Sequence, residues 1–230
     1  MEAFGKNIWT VPGDNVRMFG MLPFTTRMTV VRLASGQLWL HSPVAPTTDR
    51  REAVDRLGPV AMLVAPNKIH SLGVTPWKTD YPMAEVWVSP GFPDRHPEIA
   101  ADAVLTDEAV PPWRDEIDHC VIAGHAVLDE VAFLHRPSRT LILTDLIQKH
   151  DPAGERWLWR GVKGLAGILG DEGGVPLDVK LSVRDKPAMR ASLERILAWE
   201  FDNLVISHGH CLQGGAKESV ARAFAWITRS

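Results

Sequence analysis

The chain has few cysteines and no long apolar segment, and both shortages narrow the classes of protein to which it can belong. Two cysteines in 230 residues are too few for a disulfide framework. No apolar run approaches the roughly 20 residues that a membrane-spanning helix needs, and the first residues show no basic region followed by an apolar stretch. We therefore expect a cytoplasmic location and no membrane partner.

The chain also lacks an excess of charge of either sign. It carries 25 basic and 28 acidic residues, which gives a net charge of -3. Because nucleic acid and anionic surfaces are bound by basic patches, no nucleic-acid partner is predicted. The length permits one large or two small domains, and no linker is evident, so we predict a single domain over residues 1–230.

Motifs of several common enzyme classes are missing as well. Neither a Gly-x-x-x-x-Gly-Lys-Ser/Thr sequence nor a Gly-x-Gly-x-x-Gly sequence after a strand is present, so nucleotide binding is not indicated. A Gly-x-Ser-x-Gly elbow is absent too, so the sequence gives no local indication of a serine hydrolase.

What the chain does contain is a set of polar residues that each end an apolar run. These residues are His70, His125, Asp145 and His208. Buried strands normally exclude histidine and aspartate, so several strands that each release one such residue predict side chains meeting at one point of the fold. This pattern indicates a metal site, either complete or eroded.

The order of strand-like and helix-like segments predicts the architecture. The first forty-five residues favour β structure, including a strand over 16–22, and a helix follows over 47–57, capped by Thr48 or Asp49. In the second half, three strands over 118–145 form a predicted meander before a helical region over 153–169. Two halves that each run strands before helices fit two sheets with helices on both outer faces.

At the polar positions the chain resembles the metallo-β-lactamase superfamily, and more narrowly an uncharacterised branch that keeps the fold with an altered metal motif. The resemblance covers nearly the whole chain and implies an α/β (α+β) fold, a four-layer αββα sandwich. Residues 65–70 stand at the His-x-His-x-Asp-His loop of the family, and His70 matches its last histidine. His125, Asp145 and His208 match the later Gly-His, bridging aspartate and C-terminal histidine motifs.

The departures from the family pattern all concern metal ligands. Ala65, Asn67 and Ile69 replace the first two histidines and the aspartate of the loop, so the usual binuclear centre cannot form. An early aspartate turn, which in the family orients the first loop histidine, is altered to Leu40-His-Ser-Pro43. The early aspartate and the loop histidine that it orients in the family are therefore both absent from this chain.

The resemblance implies a reduced metal site. His70, Asp145 and His208 are expected to bind one divalent ion, with His125 as a fourth ligand or a proton carrier. Zinc is the expected ion, iron and manganese are alternatives, and a metal-free relic is the other possibility. The functional hypothesis is a hydrolase whose metal-bound hydroxide attacks an ester, thioester, amide or phosphoester, with Asp145 and His125 as catalytic residues. The alternative is a non-catalytic protein that binds a small molecule or a partner.

Four further residues have two interpretations each. Asn67 or Lys68 can replace a lost ligand, and the Lys68 ammonium can instead neutralise Asp145 without a metal. Glu130 either hydrogen bonds to a ligand histidine or only begins a strand. His210 is either an additional ligand or a solvated loop residue, and the second interpretation is favoured.

Overall fold

The computed structural model describes residues 1–18, 22–125, 127–154, 157–170 and 173–229. The strands formed by these residues are β1 (Glu2–Gly5), β2 (Ile8–Pro12), β3 (Val16–Met18), β4 (Leu22–Phe24), β5 (Arg27–Arg32), β6 (Leu38–His41), β7 (Val60–Ala65), β8 (Glu85–Val88), β9 (Ala103–Val104), β10 (Ile117–Val121), β11 (Val131–His135), β12 (Thr140–Leu143) and β13 (Asn203–Ile206). The helices are α1 (Thr48–Asp55), α2 (Val74–Asp80), α3 (Phe92–Arg95), α4 (Trp157–Leu165), α5 (Leu177–Leu181), α6 (Lys186–Ala198) and α7 (Ala216–Thr228).

Most of the strands form two sheets, which correspond to the two halves of the sequence. The first sheet has the order β1-β2-β5-β6-β7-β8-β9 and the second has the order β10-β11-β12-β13. The first sheet is antiparallel from β1 to β6 and parallel from β6 to β9, whereas only the β12–β13 pair is parallel in the second. Strands β3 and β4 form a separate hairpin.

Three apolar clusters show how the layers stack. The central cluster joins residues of both sheets, such as Trp39 and Val64 of the first and Phe133 and Ile142 of the second. A second cluster packs the other face of the first sheet against α1 and α2. The third packs the second sheet against α6 and α7. This is the predicted four-layer αββα sandwich, because each sheet buries one face on the other sheet and one face under helices.

The antiparallel β10-β11-β12 pairing confirms the predicted meander. The strand predicted over 16–22 is only partly observed, since β3 ends at Met18, β4 begins at Leu22, and residues 19–21 lie outside the described residues. The predicted region 153–169 contains α4, and residues 155–156 of it also lie outside. None of the helices in the described part of the chain is long and apolar enough to cross a membrane.

The N-cap of the first helix lies one residue before the first of the two predicted candidates. Thr47 is the N-cap, and its side-chain oxygen accepts a hydrogen bond from the Arg50 backbone N–H at 3.2 Å. The prediction of Thr48 or Asp49 as the cap was therefore wrong. The reason is local, because Thr47 has an extended backbone whereas Thr48 is already helical.

The register of the strands brings several polar residues to one edge of the sandwich. Leu143 pairs with Ile206 in the parallel β12–β13 ladder, and Asp145 and His208 each lie two residues beyond that pair. In the first sheet, His41 of β6 pairs with Val64 of β7. The chain segments that follow β6, β7, β12 and β13 therefore emerge at neighbouring strand ends.

Candidate metal centre

Three polar side chains meet at these strand ends. The Nε2 atom of His70 lies 3.0 Å from Oδ2 of Asp145, and the Nε2 atom of His208 lies 3.1 Å from Oδ1 of the same carboxylate. The three side chains are only 10%, 4% and 6% exposed, in the order His70, Asp145 and His208. One donor atom from each lies within 4.8 Å of the other two. The structure thus brings together three of the four metal ligands that the sequence predicted.

The His208 ring is oriented by a backbone carbonyl. Its Nδ1 lies 2.6 Å from the carbonyl oxygen of Thr25, so Nδ1 carries the proton and donates it there. Burial lowers the pKa of His208, but the hydrogen bond and negative charge of Asp145 outweigh burial, so the pKa is raised overall. Because Nδ1 is bound to the Thr25 carbonyl, Nε2 is the ring nitrogen that faces the Asp145 carboxylate.

The His70 ring is held by a hydroxyl group. Its Nδ1 lies 2.5 Å from Oγ of Ser42, the residue that follows β6. Ser42 belongs to the turn that replaces the family's early aspartate turn. The sequence indicated only the loss of that aspartate, because no motif signals a serine that contacts a histidine 28 residues away.

Asp145 is a buried carboxylate that remains ionised. Burial raises its pKa, but the charge of His70 and the hydrogen bonds from His208 and His70 together hold the pKa well below its ordinary value. The carboxylate therefore provides the negative charge around which the two imidazoles gather.

The sequence left open whether Asn67 or Lys68 takes the place of a lost ligand, and it is Asn67 that contacts Asp145. The Asn67 side-chain N–H group donates to Asp145 Oδ2 at 2.6 Å, while its oxygen accepts the backbone N–H groups of Ile69 and His70. The Lys68 ammonium lies 2.7 Å from Asp129 instead. An amide donor, rather than an ammonium, therefore occupies the position beside the Asp145 carboxylate.

Glu130 supports the site from behind, through the backbone. Its buried carboxylate accepts the N–H groups of Thr144, Asp145 and Leu146 at 2.8, 2.9 and 3.0 Å. Burial, followed by the charge of Asp145, raises the pKa of Glu130 to about 7. Neither sequence interpretation of Glu130 described this role, because the bonds run to main-chain groups that no side-chain motif can reveal.

His125 is not part of the cluster, so the structure does not support its predicted roles as ligand and proton carrier. Its Nδ1 accepts the backbone N–H groups of Val127 and Leu128, and its Nε2 donates to Oγ of Ser182 at 2.7 Å. The Ser182 hydroxyl in turn donates to the Val179 carbonyl. Burial lowers the pKa of His125, consistent with a neutral ring that closes a loop. Both ring nitrogens are used structurally.

His210 is a largely exposed loop residue, as the sequence favoured. Its Nε2 lies 3.8 Å from Oδ2 of Asp151, and its side chain is 62% exposed. It faces a different part of the surface from His208, which is two residues away and 6% exposed. Substitution of the exposed His210 can therefore serve as the control for substitution of the buried His208.

A cleft of about 250 Å³ opens onto the cluster. His70, Asp145 and His208 lie in its wall together with Ser42. The rest of the wall is mainly apolar and consists of Val16, Phe24, Pro43, Val44, Ala45, Ile69 and Leu72, with Asp14 and Thr26 as the polar exceptions. A substrate or ligand in this cleft would therefore meet both the imidazoles and the serine and a mainly apolar wall.

Comparison with protein families identifies the chain. The DUF4336 profile, described as a domain of unknown function, matches residues 6–153. The chain belongs to the DUF4336 family. The matched region contains His70 and Asp145 but ends before His208, so the third member of the cluster comes from the remainder of this DUF4336 chain. No curated protein matches the sequence.

Solved structures show which fold this DUF4336 chain has. It is similar to a metallo-β-lactamase from Pontibacter korlensis, with a TM-score of 0.65, 12% identity, and 99% of this chain and 98% of that chain covered. A metallo-β-lactamase from Hirschia baltica gives 0.65 and 14%, with 98% and 95% covered, and the metallo-β-lactamase TMB-1 gives 0.68 and 12%, with 96% and 94% covered. The chain therefore has the metallo-β-lactamase fold. At these identities the likeness concerns the fold alone.

Proposed function

We propose that this protein is a mononuclear metal-dependent hydrolase in which His70, Asp145 and His208 hold one divalent ion. The observation that carries the proposal is the orientation of the two rings. Each imidazole has its Nδ1 engaged, by Ser42 or by the Thr25 carbonyl, and directs its Nε2 to the same carboxylate. Metal-binding histidines are oriented in this way by an outer hydrogen bond.

The donor set fits a catalytic zinc site. Two imidazole nitrogens and one carboxylate oxygen match the three protein ligands of such sites, which leave one position open. A divalent ion bound there would supply Lewis acidity, which polarises a carbonyl oxygen and acidifies water. Iron or manganese would suit the same ligands.

The chain's own residues perform the remaining tasks. Ser42 and the Thr25 carbonyl fix the imidazole planes, and the Asn67 amide and the Glu130 carboxylate fix the side chain and the backbone of Asp145. The low exposure of the three side chains limits the access of bulk water to them. Asp145, ionised in this setting, supplies the negative charge that a divalent ion would need.

The cleft favours an uncharged acyl substrate. Among the described side chains, no lysine or arginine lies in its wall to bind the charged oxygens of a phosphoester. The apolar wall suits the acyl chain of an ester or thioester. We therefore place esters and thioesters ahead of amides and phosphoesters.

The alternative is a small-molecule-binding protein without a metal, and one observation favours it. Asp145 receives a hydrogen bond from Asn67 and contacts both imidazoles, so its charge is balanced within the chain. Such a protein would use the same apolar cleft for its ligand, and its ligand affinity would not depend on metal.

Activity measurements with metal-loaded and chelator-treated protein separate the two functions. The substrates are p-nitrophenyl butyrate, an acyl thioester and p-nitrophenyl phosphate. We expect turnover of the ester and the thioester, and we expect zinc loading to increase their turnover. His208→Ala should abolish this increase, whereas His210→Ala should keep it, since His210 lies outside the cluster. Equal turnover with and without metal, or none on any substrate, would count against the hydrolase.

A further inference from the structure

The cluster contains a second constellation that does not depend on a metal. Ser42 Oγ lies 2.5 Å from His70 Nδ1, and His70 Nε2 lies 3.0 Å from Asp145 Oδ2. A hydroxyl, an imidazole and a buried carboxylate are therefore joined in series. We propose that Ser42, His70 and Asp145 form a nucleophilic relay that transfers the acyl group of a carboxylic ester or thioester to the Ser42 oxygen.

The order of the groups supports this role. An ionised carboxylate can only accept, so His70 Nε2 carries the proton that is shared with Asp145. The lone pair of Nδ1 then faces the Ser42 hydroxyl, as a general base requires. The two ring nitrogens have exchanged the places they occupy in serine proteases, but the relay needs only a base in contact with the nucleophile and a carboxylate on the other nitrogen.

The backbone of Ser42 presents its hydroxyl at the cleft. Ser42 follows β6 and has φ of 53°, in the left-handed region that non-glycine residues seldom adopt. Its backbone N–H donates to the Val64 carbonyl at 2.9 Å, which ties this conformation to the neighbouring strand β7. Such conformations are strained and are concentrated at functional sites. Nothing in the sequence indicated this left-handed turn, because such turns are usually marked by a glycine and neither neighbour of Ser42 is one.

The relay also needs a donor for the oxyanion, and its candidate is the backbone N–H of Val44. Val44 lies in the wall of the same cleft, two residues after Ser42. Within the described part of the chain, this N–H group donates to no acceptor. Its carbonyl is fixed by the Trp77 indole N–H at 2.7 Å.

The reaction balances with water as the only co-reactant. In acylation, Ser42 Oγ forms a bond to the acyl carbon, its proton passes to His70 Nδ1, and the bond to the leaving oxygen or sulfur breaks as that atom takes the proton. In deacylation, water gives a proton to Nδ1 and its oxygen bonds to the acyl carbon. The Ser42–acyl bond then breaks, and the proton returns to Ser42 Oγ. The products are a carboxylic acid and an alcohol or thiol.

The relay and a bound metal exclude each other. A metal ligand uses the lone pair of His70 Nε2, whereas the relay needs a proton on that nitrogen. With a metal bound, Nδ1 would carry the proton and would donate a hydrogen bond to Ser42 Oγ, so the hydroxyl would lose its base. This inference does not rest on the hydrolase proposed above, and it predicts that zinc suppresses the reactivity of Ser42.

Covalent labelling of the full chain tests the relay. The chelator-treated protein is incubated with diisopropyl fluorophosphate, and peptide mass spectrometry then locates the label. We expect about one label per chain, on Ser42, with none in Ser42→Ala. Labelling should be unchanged in Ser207→Ala, because the hydroxyl of this buried serine donates to the Arg27 carbonyl. His70→Asn should slow labelling about 100-fold, the usual contribution of a general base, and one equivalent of zinc should slow it in the wild type.

Two results would overturn the inference. One is wild-type protein that shows no label on Ser42. The other is His70→Asn protein, folded by circular dichroism, that labels as fast as the wild type. Because mass spectrometry identifies the labelled residue in the wild-type protein itself, the first result does not depend on any variant being folded. Metal uptake without labelling would remove the relay and keep the metal-dependent hydrolase, whereas labelling without metal uptake would do the reverse.

Discussion

Removal of the Glu130 carboxylate should destabilise the protein and loosen the metal site together. In Glu130→Ala, three buried N–H groups lose their acceptor, those of Thr144, Asp145 and Leu146. Each unsatisfied buried donor costs about 1–3 kcal/mol, so the free energy of unfolding should fall by at least about 3 kcal/mol. For a chain of this size that corresponds to a melting temperature lower by roughly 6–12 °C.

The assay is urea unfolding of chelator-treated protein, followed by a zinc titration. Glu130→Gln, which keeps the shape and one carbonyl acceptor, should lose less stability than Glu130→Ala. Glu108→Ala, at an exposed glutamate, should stay within about 0.5 kcal/mol of the wild type. Zinc affinity should fall about 10-fold or more in Glu130→Ala, because the turn that presents Asp145 is no longer fixed. A Glu130→Ala protein as stable as Glu108→Ala would refute the account of Glu130.

Two predictions concern buried groups away from the cluster. Burial lowers the pKa of His135 to about 4, below its unfolded value of about 6.5, so its contribution to stability is present above pH 6.5 and is lost as pH falls toward 4. Between pH 7 and pH 5, urea unfolding of the wild type should therefore show a loss about 2 kcal/mol greater than that of His135→Asn, and equal losses would contradict this. Trp77→Phe removes a buried indole and its hydrogen bond to the Val44 carbonyl. The free energy of unfolding in the same assay should therefore fall by about 2 kcal/mol. An unchanged free energy of unfolding would contradict the buried, hydrogen-bonded indole.

The sequence predicted the part of the site that depends on strand ends. His70, Asp145 and His208 each follow an apolar run, and parallel register places Asp145 and His208 side by side. Local periodicity is enough for that inference because the runs are short and strongly apolar. The αββα order follows from the same information, since strands precede helices in each half. The single-domain assignment stays a prediction.

The contacts that complete the site could not be predicted, because they join residues far apart in sequence. Ser42 reaches His70 across 28 residues, and His125 is taken out of the cluster by Ser182, 57 residues further along. Both contacts use a serine, the residue type least marked by periodicity or motif. Glu130 acts on main-chain N–H groups, for which no residue type is a signal. The members of the cluster could therefore be predicted from the sequence, but the residues that hold them in place could not.

The most direct test of the account is the metal content of the purified chain. Plasma mass spectrometry after zinc loading and gel filtration should give about one zinc per wild-type chain and the same for His210→Ala. Asp145→Ala and His208→Ala should retain almost none, while circular dichroism shows that they are folded. A wild-type chain that stays folded and retains no zinc, iron or manganese would contradict the mononuclear site, as would a His208→Ala chain that retains a full equivalent.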